Sequence, residues 1–100
     1  MSIKVGEYGF IFENVIVDEE SLPVNLSTAT AIVYTFENPD SVHTVCSGSF
    51  STNGADGAIK YVVESTLLTI AGVWQYQTTV RTPARNWNSD ITSFFVEELI

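Results

Sequence analysis

Cysteine, histidine and basic side chains are all scarce in this chain of 100 residues. Cys46 is the one cysteine, so no disulfide can form within the chain, and a secreted disulfide framework is excluded. Assembly in a reducing cytoplasm fits this composition. His43 is the one histidine, whereas a zinc site needs four ligands and a serine nucleophile needs a base held by a third group. The residue inventory therefore predicts no enzyme, no metal site and no cofactor.

Positive charge is also in short supply, with four Lys and Arg against twelve Asp and Glu and a net charge of −8. Nucleic acids and anionic membrane surfaces are bound through Lys and Arg, so neither is predicted as a partner. No apolar run approaches the length that spans a bilayer, and the first residues lack the apolar core of a signal peptide. We therefore expect the mature protein to begin near Met1, with its acidity serving solubility.

Two clusters of oxygen-bearing side chains have ordinary explanations. Asn53–Gly57 offers hard ligands, but a calcium site takes six or more oxygens, and no Glu follows at the required spacing. A Gly-rich hairpin turn is the better interpretation. Carboxylates that could hydrolyse sugars in pairs lie at Asp18–Glu20 and Glu97–Glu98, in a turn and near the end of the chain, where carboxylates are usually solvated.

What the chain does contain is short apolar runs that alternate with turn residues along its whole length. The clearest is Val73–Arg81, where alternate residues share one face. Other strands are predicted over Tyr8–Val17, Ala31–Glu37, Val42–Phe50, Ala58–Val63 and Trp87–Glu97. Glu64–Ile70 is too short to be more than a helical turn. This spacing predicts one domain over residues 1–100, an all-β, two-sheet β-sandwich of about seven antiparallel strands.

The corner at Ala71-Gly72 makes the predicted sandwich immunoglobulin-like. In immunoglobulin folds, a similar corner precedes the penultimate strand, and Trp74 stands at the place usually held by Tyr. The disulfide of that fold is missing, because Cys46 has no partner. Residues predicted to face the core are Phe10, Phe12, Ile32, Tyr34, Phe36, Ile59, Tyr61, Trp74, Tyr76 and Val80.

An ordered set of residues, spread over most of the chain, carries a family resemblance. It consists of Val5-Gly6, Phe10, Phe12, Val17-Asp18-Glu19, Leu26–Thr30, Phe36, Pro39-Asp40, Phe50, Asp56-Gly57, Tyr61, Ala71–Gln75, Trp87–Phe94 and Val96. With this set the chain resembles small immunoglobulin-like structural proteins of tailed bacteriophages, related in pattern to the N-terminal domain of baseplate upper proteins. Such proteins have glycine at the first two turns. This chain has Ser21 and Ser41 there, so a different turn type is expected at both.

The resemblance implies a non-enzymatic structural protein of the phage particle that works by protein–protein packing. Its implied partners are other virion proteins, and it is expected in many copies as a homo-oligomer. Its location would be the virion, after assembly in the cytoplasm of the bacterial host. Tail, baseplate, fibre attachment and capsid decoration all stay open as its position.

The resemblance also implies that Phe94 and Val96 point into the core. By alternation, Trp87, Ile91 and Phe95 then form an outward apolar stripe, which predicts a protein contact. The alternative is that Met1–Tyr8 or the last residues of the chain cover the stripe.

Two further hypotheses concern the neighbouring hairpin. Arg81 and Arg85 are predicted to pair with carboxylates of a neighbouring subunit, or else to form exposed ion pairs of little energetic worth. Trp87 is also the one credible stacking platform for the alternative function, a carbohydrate-binding module or adhesin domain that contacts glycans on the host surface.

Overall fold

Nine strands in two sheets make up the structure of this protein, a computed structural model that describes residues 3–98. No helix occurs among these residues, which confirms the prediction of an all-β, two-sheet sandwich. The strands are β1 (Ile3–Lys4), β2 (Ile11–Val15), β3 (Ala31–Glu37), β4 (His43–Ser47), β5 (Ser49–Phe50), β6 (Ala58–Val62), β7 (Gly72–Arg81), β8 (Asn86–Asn88) and β9 (Thr92–Glu97).

The strand order follows the immunoglobulin pattern. One sheet runs β1-β9-β7-β3-β4, with β8 also paired to β7, and the other runs β2-β6-β5. If β2 is strand B of that fold, the two sheets contain its C-F-G and B-E-D groups. The predicted antiparallel pairing holds for every pair except β1 and β9, which are parallel, with Ile3 opposite Val96. The prediction missed β1 because two residues are too few to show a period.

Aromatic rings fill the space between the sheets. The ring centroid of Phe12 on β2 lies 5.0 Å from that of Tyr76 on β7 and 5.6 Å from that of Phe36 on β3. β2 and β7 correspond to strands B and F, which a disulfide joins in antibody domains. In this chain, contact between aromatic rings joins the same two strands. Burying each such ring contributes about 1.5–3 kcal/mol relative to leaving it in water.

The residues predicted for the core all contribute to it. Nine are buried and three are half-buried against them. The buried residues are Phe12, Tyr34, Phe36, Ile59, Tyr61, Trp74, Tyr76, Val80 and Val96, and the half-buried ones are Phe10, Ile32 and Phe94.

Another part of the core comes from connections between strands. Leu26, Leu67 and Leu68 are buried although none of them belongs to a strand. Backbone hydrogen bonds fix two of these segments, since the Leu26 N–H donates to the Gly54 carbonyl at 2.6 Å and the Gly6 N–H donates to the Leu68 carbonyl at 2.8 Å. The prediction missed these leucines because an apolar residue in a connection has no alternating neighbours.

The corner before β7 has the predicted form. Trp74 is buried, and its indole N–H donates to the backbone carbonyl of Ile70, four residues upstream, at 2.8 Å. In immunoglobulin folds, a tyrosine hydroxyl at this corner bonds to the upstream backbone. Trp74 therefore combines a core contact with the fixing of the corner.

The two turns in which serine replaces glycine have the same structure. In each, an Asp or Asn side chain accepts two backbone N–H groups, from residues 20 and 22 at Asp18 and from residues 40 and 42 at Asn38. Ser21 and Ser41 have φ angles of 63° and 65°, in the left-handed region that favours glycine. The expectation of a different turn type was wrong in this respect, because both serines adopt the conformation that glycine would take.

Three predicted strands differ from the observed ones by more than one residue, and one of them, Trp87–Glu97, is divided into β8 and β9. Val42–Phe50 is divided at Gly48, so that β4 lies in the larger sheet and β5 in the smaller one. A Cβ at Gly48 would lie 2.8 Å from the ring of Tyr34, which explains why glycine stands where the chain changes sheets. β2 likewise covers only the middle of the predicted strand Tyr8–Val17.

Candidate interaction surfaces

A one-residue bulge between β8 and β9 decides which side chains face outward. Residues 77–78 of β7 lie opposite residues 89–91, so one side has an extra residue. Ser89 holds this bulge in place: its N–H donates to the Thr78 carbonyl at 3.0 Å, and its hydroxyl accepts the Thr78 N–H at 2.9 Å. An extra residue reverses the alternation of faces beyond it.

The bulge places Trp87 and Phe95 on opposite faces of the sheet. Trp87 is paired with Val80, which is buried, so it faces inward and packs against the core. Phe95 is paired with Val73, and both residues face outward. The prediction of one stripe containing Trp87, Ile91 and Phe95 was therefore wrong for Trp87, because alternation was counted across the bulge.

Three exposed apolar residues lie on the β7 and β9 side of the outer face, and we call them the Phe95 patch: Val73, Ile91 and Phe95. They are 58%, 62% and 57% exposed, respectively. Val73 and Phe95 are direct cross-strand partners, and Ile91 lines a shallow groove of about 290 Å³ with Gln75 and Gln77 of β7. The patch is therefore an exposed apolar surface next to the polar side chains of Gln75 and Gln77.

The alternative was that the first or last residues of the chain cover this surface, and the described residues do not cover it. Ile3–Lys4 pairs with the edge of β9 at residues 96 and 97, yet Phe95 stays more than half exposed. Residues 1–2 and 99–100, which that alternative also involved, lie outside the described residues.

Arg85 makes its contacts within this chain. Its guanidinium carbon lies 3.9 Å from the centroid of the Trp87 ring, and its Nη2 lies 2.6 Å from Oε1 of Glu19. The hydrogen bond from Arg85 lowers the pKa of the Glu19 carboxyl below its ordinary value. Because both charged groups are exposed, this pair has little energetic worth.

Arg81, the second arginine predicted for an interface, lies at the end of β7 with its side chain exposed on the outer face. Its backbone carbonyl accepts hydrogen bonds from the N–H and the hydroxyl of Thr30. Those bonds secure the end of the β3–β7 pair, and the pairing of Arg81 with a carboxylate of a neighbouring subunit stays a prediction.

Further apolar side chains are exposed that the sequence analysis did not select. On the outer face of the smaller sheet, Ile11 and Val62 are cross-strand partners, and Val15 lies further along β2. On the larger sheet, Val42 and Val45 are exposed at β4. Outward positions can be read from alternation, but which of them stay uncovered depends on the long-range arrangement of the sheets.

The oxygen atoms of the Asn53–Gly57 segment serve the turn itself. The Asp56 carboxylate accepts the Ala58 N–H at 3.1 Å and the Thr52 hydroxyl at 2.9 Å, and these bonds lower the pKa of Asp56 below its ordinary value. Asn53 accepts the N–H of Ala55 at 3.0 Å. Within residues 3–98, no group of three or more His, Cys, Asp and Glu is placed to hold a metal ion.

No protein-family profile matches this chain, and a search of curated proteins found no significant match. In the described part of the chain, no helix has the length and apolar character needed to cross a membrane.

Proposed function

We propose that this protein is a non-enzymatic structural component of a tailed-phage particle and that it acts by packing against other virion proteins through the Phe95 patch. The phage context comes from the family resemblance of the sequence. The observation that carries the packing role is the outward pair of Val73 and Phe95, which are more than half exposed and lie directly opposite each other. Exposed apolar clusters of this kind are typical of protein contacts.

The size of the patch favours action in many copies. Burying three apolar side chains that are already partly covered contributes about 3 kcal/mol. A dissociation constant of about 1 mM corresponds to about 4 kcal/mol, so one patch alone gives weak binding. Copies held side by side on a symmetric particle raise the effective concentration, and modest contacts then combine into stable attachment.

The alternative function as a sugar-binding module receives less support from the geometry. A stacking platform needs an aromatic face that is open to the sugar ring. The Arg85 guanidinium lies over the ring of Trp87, and the indole packs against the core. Trp74 is buried and bonded to the Ile70 carbonyl, so it offers no platform either.

The proposal is tested by incorporation of variants into particles. Phe95→Asp adds a charge to the patch, and we expect its copy number per particle to fall at least about tenfold, since a buried, unpaired charge is strongly unfavourable. Val15→Asp is the matched control, because Val15 is an exposed apolar residue of the opposite sheet. It should be incorporated at the wild-type level.

Both variants should have wild-type circular dichroism and melting temperature, because both substituted side chains are exposed. Unchanged copy number for folded Phe95→Asp would remove the patch from the proposal. Equal losses for Phe95→Asp and Val15→Asp would also contradict it, because the effect would then come from added charge alone.

A further inference from the structure

β4 is an edge strand whose outward backbone groups can be identified. Two hydrogen bonds show which residue pairs of the β3–β4 hairpin are bonded. The Gly48 N–H donates to the Ile32 carbonyl, and the Asn38 N–H donates to the Val42 carbonyl. Antiparallel strands bond at alternate pairs. In β4, residues 44 and 46 therefore bond to β3, whereas the N–H and C=O groups of His43, Val45 and Ser47 point away from the sheet.

The other sheet edges among the described residues have features that discourage pairing with a further strand. β1 and β5 are two residues long, and β2 carries the charged side chain of Glu13. The edge formed by β8 and β9 is covered by β1 at residues 96 and 97 and interrupted by the bulge at residues 89–91, and a bulge bends an edge strand away from a new partner. β4 has five residues and contains no Lys, Arg, Asp, Glu or Pro. Short length, charge and proline are the usual protections of an edge strand, so β4 is the least protected edge.

We infer that β4 pairs antiparallel with β4 of a second copy of this chain, in a register centred on Val45. In this register Val45 faces its own counterpart, and His43 of each copy faces Ser47 of the other. Each outward N–H and C=O group of these three residues then has a partner. A strand edge with this spacing is self-complementary, as a two-fold interface requires.

The composition of β4 and the exposure of Val45 also favour a second copy of this chain as the partner of β4. Two chains with a net charge of −8 repel each other, and β4, which contains no Asp or Glu, is a segment along which they can approach. On the neighbouring strand β3, Oε2 of Glu37 lies 2.8 Å from Nε2 of His43, so this carboxylate has a partner on β4 itself. Val45 is 69% exposed, so its side chain gains cover when two such residues meet.

This pairing deepens the proposed function, on which its biological meaning rests, because it names the chain itself as a partner in a multi-copy assembly. A single strand edge is a small contact, so we expect a weak dimer that is strengthened where copies are held together. Short flexible tethers reach effective concentrations in the millimolar range, so a dimer with a dissociation constant in that range can form where copies are held together.

Sedimentation equilibrium of the purified protein tests the pairing independently of any particle. We expect the wild type to dimerise below about 1 mM. Val45→Lys places two like charges directly opposite each other and should weaken dimerisation at least about tenfold. Val62→Lys is the matched control: it makes the same substitution at a residue 47% exposed on β6, away from the edge, and should leave dimerisation unchanged.

A wild type that stays monomeric at about 1 mM would overturn the inference. Equal weakening by the two lysine variants would overturn it too, because a general charge effect would then explain the result. Neither outcome bears on the Phe95 patch, so failure of this inference is distinguishable from failure of the proposed function.

Disulfide trapping tests the register. Thr44 of one copy would face Cys46 of the other at a pair without backbone hydrogen bonds, where Cα atoms lie about 4.5 Å apart, close enough for a disulfide. We expect Thr44→Cys to form a covalent dimer under mild oxidation. The wild type, and Thr44→Cys combined with Cys46→Ser, should do so much more slowly, because their cysteines would be diagonal neighbours. Equal rates in all three proteins would contradict the register.

Discussion

Gly57 and Gly6 provide a matched test of the packing at the start of β6, because both have left-handed backbone conformations. Their φ angles are 73° and 84°. A Cβ at Gly57 would lie 2.8 Å from the carbonyl oxygen of Ile16 and 2.9 Å from that of Val24. A Cβ at Gly6 would have no atom within 4 Å. Only Gly57→Ala therefore forces backbone atoms to move.

The expected magnitudes follow from these distances. Alanine in a left-handed conformation costs about 1–2 kcal/mol. Lower entropy of the unfolded chain offsets about 0.4–1 kcal/mol of that cost. Gly6→Ala should therefore reduce the free energy of unfolding by about 1 kcal/mol. At Gly57 the clash with backbone adds about 1–3 kcal/mol, as overpacking usually does, for a total near 3 kcal/mol.

Urea denaturation followed by tryptophan fluorescence measures both variants. The difference between them should also be seen as a lower melting temperature for Gly57→Ala, since 1 kcal/mol corresponds to about 4–8 °C in a domain of this size. Equal losses for Gly57→Ala and Gly6→Ala would refute the reasoning, because the close approach of Ile16 and Val24 to Gly57 would then have no energetic effect.

Two further predictions concern the aromatic core. Burial raises the pKa of the Tyr34 hydroxyl above its ordinary value. The neutral hydroxyl therefore stabilises the fold fully below the ordinary phenol pKa of about 10, and this stabilisation is lost as the pH rises toward the higher pKa of the folded state. Urea titrations across alkaline pH should show this loss in the wild type and in Tyr8→Phe, with a smaller loss in Tyr34→Phe; equal loss in all three would contradict it. Trp74→Phe removes a buried hydrogen bond and part of a buried ring, so it should lower the free energy of unfolding by about 2 kcal/mol. Trp87→Phe should lower it by less than about 1 kcal/mol. Equal melting temperatures for these two variants would contradict the role of Trp74 in fixing the corner before β7.

Alternation predicts faces correctly only where a strand is uninterrupted. Within β7, residues 74, 76 and 80 all face the core as the pattern indicates. The same rule failed between Trp87 and Phe95, because the bulge lies in a polar run and is held by bonds between Ser89, in the connection from β8 to β9, and Thr78 of β7. No local pattern in Asn88-Ser89-Asp90 indicates those long-range bonds.

The sheet edges show a second limit of prediction. The apolar and polar positions of β4 can be read from the sequence, but its place at an edge depends on the order of the strands within its own sheet. Gly48 carries a local signal, since glycine in a strand often marks a close approach, yet the approaching ring of Tyr34 is identified only by the structure. The fold class was therefore predictable, whereas the exposed surfaces were predicted only in part: Ile91 and Phe95 are exposed as expected, and Trp87 is not on their face.

Mass spectrometry of purified particles tests the structural role most directly. Tailed phages would be purified from cells that carry this gene, and the copies of this chain per particle would be counted against proteins of known stoichiometry. We predict a fixed number of copies well above one that stays with the particle through repeated purification. A chain found only in the soluble lysate, with none on the particle, would contradict the proposed function.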